Sequence, residues 1–181
     1  MMIRAEGSTP YELARDTGQY DLPSILDAAE MVGTASINTL TEKLNDSDSG
    51  VRFWAIIGLQ ARGGDAIPAI PRLKTLLKDP SPCVQNAAAE AICHLGESTE
   101  ALSVLGKNVQ SDRVWTALQA ARSIELIGET ARPLIPVMRK VLAKYRAPEG
   151  SPRAYVDFNY AAFISWPLEV ALEELGEPVQ F

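Results

Sequence analysis

A helical spacing pattern that recurs every 32 or 33 residues constrains the fold of this chain more than any other feature. In each copy, offsets 0, 4, 7, 8 and 11 carry mostly apolar or small residues, and offset 12 is glycine. Three copies begin at Val51, Val84 and Thr116. These offsets lie on one face of an α-helix, and a glycine directly after them is a common helix end. The pattern therefore predicts helices that stack repeat upon repeat.

A second apolar stripe, spaced i, i+3, i+7, follows each first helix. Its four copies begin at Ile37, Ile70, Leu102 and Ile135. The first-helix spacing also returns near the end of the chain, from Ile164 to Gly176. The sequence thus predicts an all-α fold: an α-solenoid, or superhelix, of about four antiparallel helix pairs plus a C-terminal capping helix.

The domain boundaries follow from the same register. We expect a tail and short helix in residues 1–20, the four helix pairs in 21–145, a loop in 146–157, and the capping helix with its tail in 158–181. Together they are expected to form one domain overall. Pro167 either kinks the capping helix or marks its start.

The first helix of the first pair is degenerate. It is expected to end before Gly33 and to bury Ile25, Leu26 and Ala29. In a later turn, Ser81 is a candidate cap for the helix that carries Val84.

Charge and hydropathy narrow the classes of partner. The net charge of −6 disfavours binding to nucleic acid and to anionic membranes. We expect no transmembrane segment, because no run of 18 apolar residues is present, and the first thirty residues do not resemble a signal peptide. Cys83 and Cys93 lie ten residues apart on one predicted helix, too far apart to bridge, so both are predicted to be buried free thiols.

Residues with catalytic potential do not form a constellation. The single histidine, His94, directly follows Cys93, and neighbouring side chains on a helix diverge by about 100°, so the two cannot act as a nucleophilic pair. We find neither metal-ligand spacing nor a phosphate-binding loop. The sequence therefore predicts a non-catalytic chain with no cofactor and no metal.

A basic surface is the first candidate for binding. Lys74, Lys107 and Lys140 are spaced by 33 residues on second helices, and Arg139 lies beside the last of them. Such helices line the concave side of stacks of this kind, so these residues would suit an acidic protein face or a sulfated ligand in a concave groove. The alternative is that they are ordinary solvated lysines.

An apolar surface is the second candidate. The helix that begins at Val51 is apolar nearly all round, since Phe53, Trp54 and Ile57 lie off its stripe. Such a helix must be covered, either by the amino-terminal segment or by another domain that docks there. Trp115 and Trp166 are expected to be packing residues.

The stretch Asp-x-x-Val-Arg-x-x-Ala-x-x-x-Leu at residues 48–59 resembles the start of HEAT repeats, particularly the short bacterial variety. In the next two copies Gln85 and Ala117 stand where that arginine would be. An Asp–Arg ladder along the stack would therefore be incomplete.

A narrower resemblance involves residues 9–16, 20–29 and 51–55, which are similar to the carboxy-terminal HEAT-like region of some bacterial sulfatases. It implies an accessory domain attached to a catalytic half, which would be periplasmic or extracellular; otherwise we expect a cytoplasmic protein. The sulfatase nucleophile motif is absent, since Cys83 is followed by Val84-Gln85-Asn86.

We therefore predict a non-catalytic interaction or scaffold module that binds a protein partner or an adjoining domain. The alternative is the sulfatase accessory domain. A third possibility, a HEAT-like chromophore lyase or DNA-glycosylase relative, is disfavoured by the net charge and by the lack of an acid–base pair.

Overall fold

The computed structural model describes residues 22–145 and 155–177, and the regular secondary structure in these ranges is entirely helical. The nine α-helices described are α1 (Leu22–Thr34), α2 (Ile37–Lys43), α3 (Ser49–Gln60), α4 (Ile70–Leu76), α5 (Pro82–His94), α6 (Thr99–Asn108), α7 (Val114–Leu126), α8 (Ile135–Tyr145) and α9 (Tyr155–Glu174). Two 3-10 segments, Gly63–Ala69 and Gly128–Leu134, precede α4 and α8. The predicted all-α, HEAT-like solenoid class is confirmed.

The chain divides into two compact units, Met1–Glu97 and Ser98–Phe181. In the first unit α1, α2 and α5 pack against α3, and α4 packs against α5. In the second unit α9 packs against α7 and α8, and α6 packs against α7. The first helices α3 and α7 thus each pack against two or more neighbouring helices of their unit.

The stripes identified in the sequence supply the cores of both units. In the first unit the buried stripe residues include Leu40, Leu44, Val51, Ala55, Leu59, Leu73, Val84, Ala88 and Ile92. In the second they include Leu102, Leu105, Ala120, Ile124, Met138, Leu142, Ile164, Leu168 and Leu172. Both cysteines are buried and neither forms a disulfide, as predicted.

The glycines at offset 12 have the backbone conformation that ends a helix. Gly63, Gly96, Gly128 and Gly176 have φ between 53° and 89°. Only glycine adopts this left-handed region without steric cost, which explains its recurrence at that offset.

Helix α1 departs from the prediction. It continues through Gly33 to Thr34. The Arg62 guanidinium donates to the carbonyls of Val32 and Ala35, at 2.6 and 2.7 Å. It thus supplies hydrogen-bond donors to carbonyls at the end of α1, a role that the turn after a terminal glycine fills in other helices. This contact also explains why a charged residue occupies offset 11 of the first repeat.

The predicted buried face of α1 was also wrong in part. Ala28 is buried, whereas Leu26 is 55% exposed and Ala29 is only half-buried. The packing of α1 on α3 sets this orientation. Ile25 of α1 lies close to Gly50 of α3, because a Cβ added to Gly50 would be 3.0 Å from Cγ1 of Ile25.

Helix starts follow local chemistry. Asp48 caps α3, because its Oδ1 accepts from the Gly50 N–H at 2.7 Å. Ser81 occupies the N-cap position of α5 as predicted, but its side chain makes no capping hydrogen bond. Pro68 and Pro133 lie in the two 3-10 segments that precede α4 and α8.

Helix α9 begins at Tyr155 and holds Pro167 in its interior, so this proline does not mark its start. The predicted short helix before residue 20 lies outside the described residues, as does most of the predicted loop 146–157. In the described ranges no helix is both long and apolar enough to cross a bilayer.

Candidate interaction surface

An apolar groove in the second unit is the clearest candidate site. Helix α9 exposes Phe163 by 56% and Trp166 by 68%. The groove has a volume of about 380 Å³. We call it the aromatic groove; it is lined by Arg122 and Glu125 of α7 and by Phe163, Trp166, Pro167 and Val170 of α9.

The sequence of α9 carries two stripes, and only one of them is needed for the core. Ile164, Leu168 and Leu172 are buried. Phe163, Trp166 and Val170 follow the spacing i, i+3, i+7 on a different face, which the helix geometry turns away from that core. This second stripe was the available signal for the groove, and sequence reasoning missed it.

The two uncertain tryptophans have different environments. Trp115 is half-buried and packs edge-to-face on Tyr160, with ring centroids 5.4 Å apart, so its packing role is confirmed. Trp166 was expected to pack as well, and this prediction was wrong. It is exposed because it lies two residues from both Ile164 and Leu168, and this spacing places its side chain on the opposite side of α9 from the buried stripe.

Helical spacing places Glu173 and Glu174 three and four residues beyond Val170, on the face of α9 that lines the aromatic groove. Glu169 is half-buried, and Glu173 and Glu174 are exposed. On α7, Arg122 forms an ion pair with Glu125. The groove therefore combines an apolar floor with a mainly acidic border.

The predicted basic residues are placed in both units. Lys74, in the first unit, forms an ion pair with Glu97. In the second unit Arg139 donates to Glu177 at 2.5 Å, Lys140 donates to the amide oxygen of Gln110 at 2.9 Å, and Lys107 is exposed. Carboxylate partners weaken the positive field of Lys74 and Arg139. A basic surface for an acidic or sulfated ligand stays a prediction.

The predicted apolar docking face lies on α3. Phe53, Trp54 and Ile57 are all half-buried there. The rings of Phe53 and Trp54 meet edge-to-face, with centroids 5.6 Å apart. The role of these residues as a docking face for another domain stays a prediction.

The cysteine and histidine on α5 do not act together. Cys93 is buried and His94 is exposed. Burial, and secondarily the charge of Glu90, raises the pKa of the Cys93 thiol to about 12, so the thiol stays protonated and is a poor nucleophile at neutral pH. Among the described residues, no group of His, Cys, Asp and Glu could hold a metal ion.

Comparison with known families agrees with the helix pairs. Residues 37–125 match the family described as HEAT repeats. No curated protein matches the chain. Together with the repeated helix pairs described above, the family match supports a HEAT-like repeat domain in this chain.

Proposed function

We propose that this chain is a non-catalytic interaction module whose protein partner docks in the aromatic groove. HEAT repeats are generally protein-interaction or scaffold modules. The observation that carries the proposal is the exposure of Trp166 and Phe163 side by side in one groove. Exposed apolar clusters of this kind mark binding surfaces, because covering them releases water from large aromatic surfaces.

The non-catalytic part of the proposal rests on what the buried polar groups do. Arg52 and Asp79 form a closed ion pair, and the buried Cys93 thiol has a pKa far above neutrality. These groups stabilise the fold and are poorly placed to react with a substrate.

The proposal is tested by comparing three forms of the chain as bait in an extract of the source organism. The forms are the wild type, the groove variant Phe163→Ser/Trp166→Ser, and the control variant Leu26→Ser/Ile67→Ser. The control removes two side chains of similar exposure, 55% and 53%, from the first unit. Far-UV circular dichroism confirms that each variant is folded.

We expect proteins that are retained by the wild type and by the control but are lost with the groove variant. Retention of the same proteins by all three forms would show that the partner does not bind in the aromatic groove. If no protein is retained by any form, the interaction function itself is wrong.

An adjoining domain of the same polypeptide is the second form that the partner can take. The resemblance of residues 9–16, 20–29 and 51–55 to sulfatase tails supports it. An antibody against this domain, applied to the same extract, tests it. A band near the 19.6 kDa of this chain contradicts the idea, and a band several tens of kDa larger makes sulfatase activity the first to assay.

A further inference from the structure

We infer that the aromatic groove binds one amphipathic α-helix of another protein, with an apolar stripe and with Lys or Arg residues beside it. This inference rests on the proposed interaction function and specifies the chemistry of the partner.

The shape of the groove favours a helix as the ligand. It lies between α7 and α9, which pack against each other. Its aromatic wall is spaced i, i+3, i+7 on α9, the same spacing by which the helices of this chain pack within each unit. A third helix can place its own side chains between these ridges, as amphipathic helices do in apolar grooves.

The charge around the groove favours a basic helix. Glu169 and Glu173 lie three and seven residues beyond Trp166, so the apolar stripe leads into acidic residues. The ion pair between Arg122 and Glu125 leaves the positive charge of that arginine balanced. Lysine or arginine on the incoming helix would therefore meet negative potential, which strengthens and orients the contact.

Pro167 adds a hydrogen-bond acceptor to the same place. A proline has no N–H, so the carbonyl of Phe163, four residues earlier, lacks the donor that it would have in a regular helix. A Lys or Arg side chain of the partner can supply one.

A second copy of this chain is a poorer occupant. In a two-fold contact the same patch meets itself, so each groove would face the acidic border of the other. That arrangement brings Glu173 and Glu174 of both copies towards one region and is disfavoured by like-charge repulsion.

The test uses three fluorescently labelled synthetic peptides of about 16 residues, the length of about four helical turns. The first has leucines at helical spacing flanked by lysines. The second is a scrambled sequence of the same composition, and the third has glutamates in place of the lysines. Binding to the full chain is measured by fluorescence anisotropy, again with the groove variant and with the Leu26→Ser/Ile67→Ser control.

We expect the basic amphipathic peptide to bind at least about tenfold more tightly than the other two, and groove substitution to weaken it by about tenfold or more. The control variant should bind like the wild type. Glu173→Lys should weaken the basic peptide and strengthen the acidic one, a reversal that loss of folding would not produce.

Several results would overturn the inference: no binding of the basic peptide, equal binding of the scrambled peptide, or binding that survives groove substitution. Self-association that is lost in the groove variant, measured by analytical ultracentrifugation, would identify a second copy as the occupant instead. If these peptides fail while the extract experiment still shows groove-dependent partners, the interaction function stands and only the basic helix is wrong.

Discussion

The two units differ in how a first helix is tied to the turns around it. In the first unit, Arg52 donates to both carboxylate oxygens of Asp79 at 2.8 Å, and both side chains are buried. The same guanidinium donates to the carbonyls of Asp46 and Ser47. In the second unit Ala117 occupies the matching position of the repeat and has no polar side chain.

The aspartate at the turn is nevertheless present in both units. Asp112 follows Asp79 by 33 residues, and it accepts a hydrogen bond from Lys144 at 2.8 Å. Its side chain is 96% exposed. Gln85, at the matching position of the second copy, keeps part of the Arg52 contacts. Its side-chain amide donates to the carbonyl of Asp79, just as the Arg52 guanidinium donates to the carbonyl of Asp46. The apolar stripes are thus common to both units, whereas the polar ties between turns are not.

The largest effect is expected from breaking the buried pair. Asp79→Ala leaves the Arg52 guanidinium buried without its carboxylate and also removes the acceptor of the Ser81 N–H. Removal of one partner of a buried pair costs about 3–5 kcal/mol of unfolding free energy. Urea denaturation followed by circular dichroism measures it. Exposed ion pairs contribute up to about 1 kcal/mol, so a smaller loss of unfolding free energy in Asp79→Ala would show that the buried pair contributes no more than an exposed one.

A smaller effect is expected at Gly58, where α3 lies against α2. A Cβ on Gly58 would lie 2.7 Å from Cδ2 of Leu40, which is fully buried and cannot move aside freely. Gly58→Ala should therefore cost about 1–3 kcal/mol, as overpacking does. In the second unit, the Cβ of Gly106→Ala would lie 3.1 Å from Cδ2 of Leu134. Alanine is favoured over glycine in a helix by about 1 kcal/mol, which offsets this contact, so Gly106→Ala should cost less stability than Gly58→Ala.

The control for both glycine variants is Gly64→Ala, because an added Cβ there meets nothing within 4 Å. Thermal unfolding of the three variants gives the order of stability. If Gly58→Ala proves as stable as Gly64→Ala, the close approach of α2 and α3 does not limit packing.

At alkaline pH, a loss of stability is expected in the first unit, which holds Cys93. The pKa of Cys93 is raised from 9.0 to about 12 in the folded chain, so between these values the unfolded chain loses a proton that the folded chain keeps. The thiol's contribution to stability is therefore complete below pH 9 and is lost as the pH rises towards 12. The difference in unfolding free energy between the wild type and Cys93→Ala should shrink across that window. A difference independent of pH would contradict the raised pKa.

The smallest effect is expected at the exposed pair. The hydrogen bond from Lys144, aided by its charge, lowers the pKa of the Asp112 carboxyl, but this group is fully exposed and screened by water. Asp112→Ala should leave the unfolding midpoint nearly unchanged in physiological salt. Any small contribution should be present near neutral pH and fade as the pH falls through the lowered pKa. A loss of unfolding free energy comparable to that of Asp79→Ala would show that the greater exposure of Asp112 does not weaken its ion pair relative to that of Asp79.

Prediction from sequence succeeded where a local rule decides the outcome. The positive φ of Gly63, Gly96, Gly128 and Gly176 follows from their place directly after a helical stripe. The burial of Leu59 and Ile124 follows from the helical period alone. Prediction failed where a distant residue decides: Arg62 extends α1 by binding the Val32 carbonyl, although the two are thirty residues apart.

The aromatic groove shows the same division. The sequence by itself determined that α9 is a helix with Ile164 and Leu168 on one face, because periodicity fixes which side chains share a face. Only the tertiary structure decided that Phe163 and Trp166 remain exposed, and that Arg52 pairs with Asp79. The physical reason is that coverage of a face and pairing of a charge depend on which elements meet in space, and spacing along one helix does not contain that information.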